Sequence, residues 1–516
     1  MPDQAHLKQT QWLGGINTAS ADDAVEKNEA LDLVNITLTK RPDSLEQISG
    51  PDLYYSVGGT PDDPNIVVES IFKFYKDDGT SFNMVSWQDK GTLQRFVGYF
   101  VVGVGETILT VTTPVTQPIT DWVAFQDKVY FVNGTNRLYF WDGVAAGFSE
   151  VTFPLSFMPT TMEMYRNRAY YSGDPNDPIR FIHSLDLTPN LFDSPFNDFY
   201  DIEGIDGDII EDMKTLGPVL VVLCRRSLHV VTGSPPQRID PVQGVRVGCI
   251  NKKTSQKTNI GLVFLSEDGV YLFTGREAIK ISRKIDNDIR DVINNASNNF
   301  ESSFHRGEYN LFFKTLLTVN KNDGYTFSLN TLDLQTQNIG ITRRENFQLD
   351  WSMIFSGALD KEEWYAVQDT TNNILRVDTS GQKNFYKNNI EPEAVLESFV
   401  ATKWEDFGNR SITKELRHLY LFHHANLKNL KIKLIVDIEG EIKEYEYTIP
   451  GKSTALWDTV NWDQFNWGPS IVTHSKIILD SSIYCNRARM EITSDDPEDF
   501  FSLESLEYHY LLLREI

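Results

Sequence analysis

Cysteine is nearly absent: three in 516 residues, Cys224, Cys249 and Cys485. Their wide spacing excludes a disulfide scaffold and a cysteine-based metal centre. Two sit in apolar, strand-like text, so they read as buried free thiols of a protein folded in a reducing cytoplasm. Long hydrophobic runs are missing too. The longest, "GPVLVVLC" at 217–224, is far below the roughly 20 residues of a membrane-spanning helix. The opening "MPDQAHLKQTQWLGG" has no apolar core of a signal peptide. No direct membrane insertion is expected. Basic residues are also scarce, 48 Lys and Arg against 72 Asp and Glu, for a net charge of −24. That balance disfavours a general binder of nucleic-acid phosphates or anionic membranes; solubility alone accounts for it equally well. Helical text is rare, and "KIDNDIRDVINNAS" at 284–297 is the best candidate.

What is present is strand and turn. Apolar residues make up 41 % of the chain and aromatics 12 %. The stretch "GLVFLSEDGVYLFTG" at 261–275 reads as a hairpin about an Asp-Gly type I′ turn. Its first arm, Leu262 to Leu265, does not alternate, which requires a strand covered on both faces. The phrase has relatives: "QDKVYFVNG" (126–134), "RNRAYYSGD" (166–174), "RRSLHVVTG" (225–233), "EDGVYLFTG" (267–275) and "KEEWYAVQD" (361–369). Tyr130, Tyr170, His229, Tyr271 and Tyr365 occupy matching places, with a looser copy at Tyr309. Units of about 40–45 residues made of strands and turns have the size of four-stranded propeller blades. Stacked blades cover each other's faces, which explains the non-alternating arms. A large β-sandwich is the rival reading.

The expected fold is therefore all-β: an arm over 1–50, a propeller of six to eight blades over 51–391, and a β-sandwich over 392–516. "FNMVSWQDKGTLQRFVG" (82–98) would belong to a further blade. In the last region "KIKLIVDIEGEIKEYEYTI" (431–449) predicts a hairpin turning at Glu439-Gly440. The first 50 residues show little apolar periodicity and call for a partner surface to order them.

Catalytic signatures do not stand out. His423-His424 are adjacent, so on a strand they face opposite ways. "VGVGET" (102–107) holds only part of a dinucleotide-type glycine pattern, and no serine elbow is visible. "SEDGVYLF" (266–273) resembles the start of a sialidase-type box but lacks its Thr-Trp. We expect neither enzyme activity nor a cofactor or metal. One segment is dense in acid: "DFYDIEGIDGDIIED" holds Asp198, Asp201, Glu203, Asp206, Asp208, Glu211 and Asp212. It reads as a solvated loop, as a Ca²⁺ loop without EF-hand spacing, or as a negative lining of a passage. "ALWDTVNWDQFNWG" places Trp457, Trp462 and Trp467 five residues apart. That spacing cannot keep all three on one strand face. An interface, a loop folded over the sandwich core, or carbohydrate stacking would each account for it.

Several stretches together resemble the β-propeller proteins of the tail hub or nozzle of short-tailed bacteriophages, of the packaged-DNA stabilisation type. The N-terminal "GGINT…NEALDLVNITLTKRPD" is similar to the family's Gly-Gly-x-Asn-Thr start and later Lys-Arg-Pro-Gly, with Asp43 in place of the last Gly. "NDPIRFIHSLDLTPNLFD", "LVVLCRRSLHVVTGSP", "LVFLSEDGVYLFTGREAIKISRKI", "WEDFGNRSITKELRHL" and "NRARMEITSDD" resemble its blades and appended sandwich. The resemblance implies a virion tail protein assembled in a bacterial cytoplasm. It implies a ring, usually of six copies, below the portal and adaptor and touching tail fibres or spikes. Double-stranded DNA would pass through transiently and non-specifically. On that reading the acids of 198–212 would line or gate the channel. A propeller adhesin or glycan-binding tail protein, and after it a glycosidase, are the alternatives.

Overall fold

The structure is a computed structural model. It describes residues 4–513 apart from 39–43, 49–51, 193–198, 204–206, 243–245, 296–299, 306–309, 315–323, 346–348, 357–361, 369–370, 378–383, 386–393, 396, 425–429, 450–471 and 495–501. Among these residues the chain builds seven consecutive four-stranded antiparallel blades. Their first strands are Ile66–Tyr75, Asp121–Phe125, Thr161–Tyr165, Ile210–Leu216, Gln256–Lys257, Glu301–His305 and Leu349–Ser356. Neighbouring first strands touch, the seventh returning to the first, and between blades 4 and 5 Ser255, just before Gln256–Lys257, donates to Asp212. Blade 7 takes its outermost strand, Asp52–Ser56, from the other end of the chain, where it pairs with Asn373–Val377. Buried Asn372 fastens this closure, its Nδ2 donating to the carbonyls of Val57 (2.6 Å) and Thr60 (2.7 Å).

The run Leu262–Ser266 is buried throughout. Leu262 and Phe264 pack with Val221, Leu223 and Leu228 of blade 4. Val263 and Leu265 face the other way, in a cluster that holds Leu311 and Phe313 of blade 6. Val219–Cys224 repeats the pattern one blade earlier, with Leu220 and Val222 against Tyr165 and Tyr170 of blade 3. Each of these second strands is thus sandwiched by two neighbouring blades, the condition its unbroken apolar text demands.

Two sequence expectations shift. The 261–275 hairpin turns at Glu267-Asp268, because Ser266 pairs with Gly269. Gly269 is the first strand residue rather than a turn residue. A Cβ there would lie 2.5 Å from Lys280 Cε and from Ser282 Oγ, so close approach explains this glycine. The recurring aromatic is not one structural position: Tyr130, Tyr170 and Tyr365 lie on second strands, His229 and Tyr271 on third strands. What repeats is the hairpin, and a hairpin occurs at more than one place in every blade. Tyr309 lies outside the described residues. The hairpin at Glu439-Gly440 forms as expected, with φ of 52° and 92° at its two turn residues, and Asp286–Asn295 is an α-helix.

Residues 4–47 supply strands to a second unit. Gln4–Gln9 pairs with Ser502–Leu512. Glu29–Val34 pairs with Ser398–Thr402 on one side and touches blade 6 on the other, Val34 opposite Arg343. A six-stranded sheet containing Lys414–His424 and Val472–Cys485 faces a ten-stranded sheet that runs on from blade 6. Leu416, Leu419 and Leu421 of the first share one core with Ile432, Leu434 and Val436 of the second. The expected arm therefore finds its partner surface in its own chain. All three cysteines are buried and free.

Candidate functional site

The inner strands all start at the same end of the propeller, and polar residues stand at those starts. Thr120-Asp121, Thr160-Thr161, Asp212, Ser255-Gln256 and Glu301-Ser302 converge there from blades 2 to 6. Around the axis they enclose a cavity of about 410 Å³, walled lower down by Ile71, Phe72 and Trp122.

Its charges are knitted together. Thr161 Oγ1 lies 3.1 Å from Asp121 Oδ2 and 2.7 Å from Asp212 Oδ1. Ser255 Oγ donates to the other oxygen of Asp212. Lys214 Nζ sits 3.0 Å from Asp212 Oδ2. Lys252 comes from the turn before blade 5 and reaches across the end of the axis. Its Nζ donates to the carbonyls of Thr120 (2.8 Å) and Thr160. Lys253 pairs with Glu301 at 2.7 Å. Burial pushes Lys252 down to about 8, although Asp121 and Asp212 act against that shift. Burial also opposes the charge on Lys214, but Asp212, Asp121 and Glu163 outweigh it and hold this ammonium above its ordinary range. Burial raises Glu163 above the usual carboxylate range. Asp121 and Asp212 are each committed to hydrogen bonds, so the arrangement ties the blades together at the hub. Among the described residues no cluster of His, Cys, Asp and Glu is arranged to hold a metal ion.

The structure disperses the acidic segment. Asp198 and Asp206 lie outside the described residues. Asp201, on the outermost strand of blade 3, is gripped by Arg180, whose Nε is 2.7 Å from its Oδ1. Glu203 is exposed. Asp208 is buried and accepts from Ser227 Oγ (2.6 Å) and the Arg226 amide (2.9 Å). Glu211 is partly buried, 4.0 Å from Arg225, and burial pushes it up to about 7. Of the described acids, only Asp212 reaches the axis. The segment leads from the rim of blade 3 to the hub of blade 4, so acids close in sequence end up at different radii. The described ones do not form one wall. Trp457, Trp462 and Trp467 lie outside the described residues. His423 is buried with Nε2 2.8 Å from Ser475 Oγ, a core contact within the sandwich.

Sequence reasoning missed Asp121, Thr161, Lys214, Lys252 and Ser255. A signal was available: a polar pair immediately before a short apolar alternation, as in "TDWVAF", "TTMEMY" and "EDMKTL", marks the hub end of successive inner strands.

No protein-family model matches the chain, and no curated protein does. Similar solved structures include an extracellular domain from B. thetaiotaomicron at 10 % identity and a TM-score of 0.40, covering 65 % of this chain and 40 % of that one. The Neurospora crassa Pan2 WD40 domain is 9 % identical, TM-score 0.39, covering 64 % of this chain and 94 % of that one. A chain of the mitotic checkpoint complex is 9 % identical, TM-score 0.42, covering 64 % and 95 %. At such distances these likenesses say nothing of function. The propeller is established by its own seven blades.

Proposed function

We propose that this chain is a structural subunit of a bacteriophage tail, a hub or nozzle ring that extends the portal channel, retains packaged DNA and conducts it during ejection. The observation that carries this reading is the seam between propeller and sandwich, which is built from the stretch carrying the resemblance. Gly15 has φ +68° and no room for a Cβ, the nearest atom being the Ile341 amide of blade 6 at 2.2 Å. Asn17 Nδ2 donates to Glu29 Oε2 at 2.8 Å. Lys284 Nζ donates to the Gly14 carbonyl at 2.7 Å and pairs with Glu29 at 2.9 Å. The Gly-Gly-x-Asn-Thr stretch thus welds two β units into one body, as a load-carrying ring subunit requires.

In this reading the DNA passage is enclosed by several copies. The axis of a single propeller is crossed by Lys252 and offers a cavity of about 410 Å³, a small-molecule volume rather than a duplex-sized bore. An acidic lumen repels phosphate and leaves the duplex free to slide. Screening acts over about 8 Å in physiological salt, so only acids at the inner surface count. Of the proposed acidic channel residues that are described, exposed Glu203 would count in such a lumen, and exposed Asp201 is paired with Arg180. Partners would be further copies in a ring of six, the portal and adaptor proteins, and tail fibres or spikes. No catalysis or cofactor is assigned.

Electron microscopy of the purified protein and of its parent particle tests the proposal. A closed ring with an open centre, below the portal in the particle, is expected. A poreless monomer at every concentration, absent from the tail, would overturn it.

A further inference from the structure

Two surfaces of this chain are complementary in charge and both carry exposed apolar groups. The first is the outer face of the six-stranded sheet. Lys8, Glu507, Tyr420 and Lys476 stand in one row across four adjacent strands, and His6, His509, His418 and Ile478 form the next. Lys8 Nζ lies 4.7 Å from the centre of the Phe422 ring, and Lys476 Nζ 5.6 Å from that of Tyr420. Ile478 is 64 % exposed, and Tyr484 and Arg417 are exposed beside it. The acids here are already engaged: Glu507 by His509 at 2.9 Å, Glu415 by Arg417 at 2.9 Å. In a chain of net charge −24 this face carries more base than acid, set around Tyr420 and Tyr484, and tyrosine and arginine are enriched at interfaces.

The second surface is the far end of blades 1 and 2, away from the axial cavity. The outer turn of blade 1 exposes Val101, Val102 and Val104, the last by 84 %, and the matching turn of blade 2 exposes Val144 by 80 %. The two turns are close, since Tyr99, just before the first, stacks on Trp141, just before the second, with ring centres 5.5 Å apart. Exposed Asp77 and Asp78 lie in the turn after Ile66–Tyr75 at this same end, and exposed Asp142 opens the second valine turn, its Oδ1 accepting from the Val144 and Ala145 amides at 2.9 Å. Lys76 is drawn towards Asp78 at 3.9 Å, and Lys128 lies 5.8 Å from the centre of the Phe140 ring. The sandwich is joined at blade 6, two to three blades away around the ring, so one molecule presents both surfaces at separate places.

We propose that the occupant of the basic sheet face is the acidic valine patch of a second copy. The contact is heterologous, so each subunit offers one face and receives another, the arrangement that closes rings. This deepens the ring reading and rests on it. Valine side chains bury against Tyr420, Ile478 and Tyr484, while Lys8 and Lys476 meet Asp77 and Asp78.

Charge-swapped chains test it by mass photometry and electron microscopy, with thermal unfolding as the check on folding. The pair Lys8→Glu/Lys476→Glu is expected to weaken self-assembly more than about tenfold, as is Asp77→Lys/Asp78→Lys, because each meets like charge on its own copies. Mixing the two variants restores every contact and should restore rings with even subunit numbers. Val104→Asp, at a largely exposed position, should also block assembly. Rings that survive in either variant alone, or assembly lost and not regained on mixing, overturn this interface while leaving a ring possible by another surface. A wild-type chain that never assembles overturns the ring reading itself.

Discussion

At the scale of single residues, the axial cluster shows how a propeller affords charge at its hub. Lys214 and Lys252 are held among Asp121, Glu163 and Asp212, and the hydroxyls of Thr161 and Ser255 occupy the remaining carboxylate oxygens. A buried charge is tolerable only when paired and hydrogen-bonded. Lys252 is the least compensated, for its two recorded acceptors are carbonyls, and burial holds it down at about 8. An unfolded lysine titrates near 10.4. Between about 8 and about 10.4 the folded chain has released a proton that the unfolded chain keeps. The stability contributed by this residue therefore rises with pH across that window and is lost as pH falls through about 8. Thermal unfolding of wild type and Lys252→Met across pH 7 to 10.5 reads this directly. The difference, wild type minus variant, should be flat near pH 7, climb above about 8 and still be rising at 10.5; a flat difference throughout would show that Lys252 titrates normally.

At the scale of elements, the seam is the point of greatest sensitivity. Gly15 combines positive φ with backbone 2.2 Å from a would-be Cβ. Gly15→Ala adds conformational strain of about 1–3 kcal/mol and forces the strand off blade 6. Destabilisation of about 2 kcal/mol or more is expected in denaturant melts, whereas Gly59→Ala, at an equally positive φ but with open space around it, should cost only the strain. Equal losses at both sites would deny the seam its tightness.

The contrast also shows what the text could convey. Blade strands were legible because unbroken runs such as Leu262 to Leu265 are intelligible only with cover on two faces, and both covers exist. The axial site was not legible, because its members come from five blades and none carries a motif; Lys252 and Thr160 are neighbours only after the ring closes. Likewise the acids of 198–212 looked like one feature because sequence proximity hides the radial path from rim to hub. The role of residues 1–50 was hidden because strands such as Gly15–Ile16 are two residues long and gain meaning only from their partners.

At the scale of the whole molecule, the chain ends close both units. Asp52–Ser56 completes blade 7, and the strands of residues 4–47 complete the two sheets next to blade 6. A chain starting at residue 51 keeps every strand of the propeller. It loses Glu29–Val34, the strand between blade 6 and Ser398–Thr402, and with it fully buried Ala30, Leu33, Ile36, Leu38 and Leu45. Both neighbours would then present unpaired strand edges beside apolar surface, a ready template for aggregation. Such a truncated chain is expected to aggregate or to unfold in separate steps, and a peptide of residues 1–50 supplied in trans should restore a soluble, cooperative transition. Calorimetry and light scattering of the two preparations decide it. A truncated chain that stays monomeric with a wild-type melting profile would mean that the N-terminal strands decorate an already complete body instead of joining its halves.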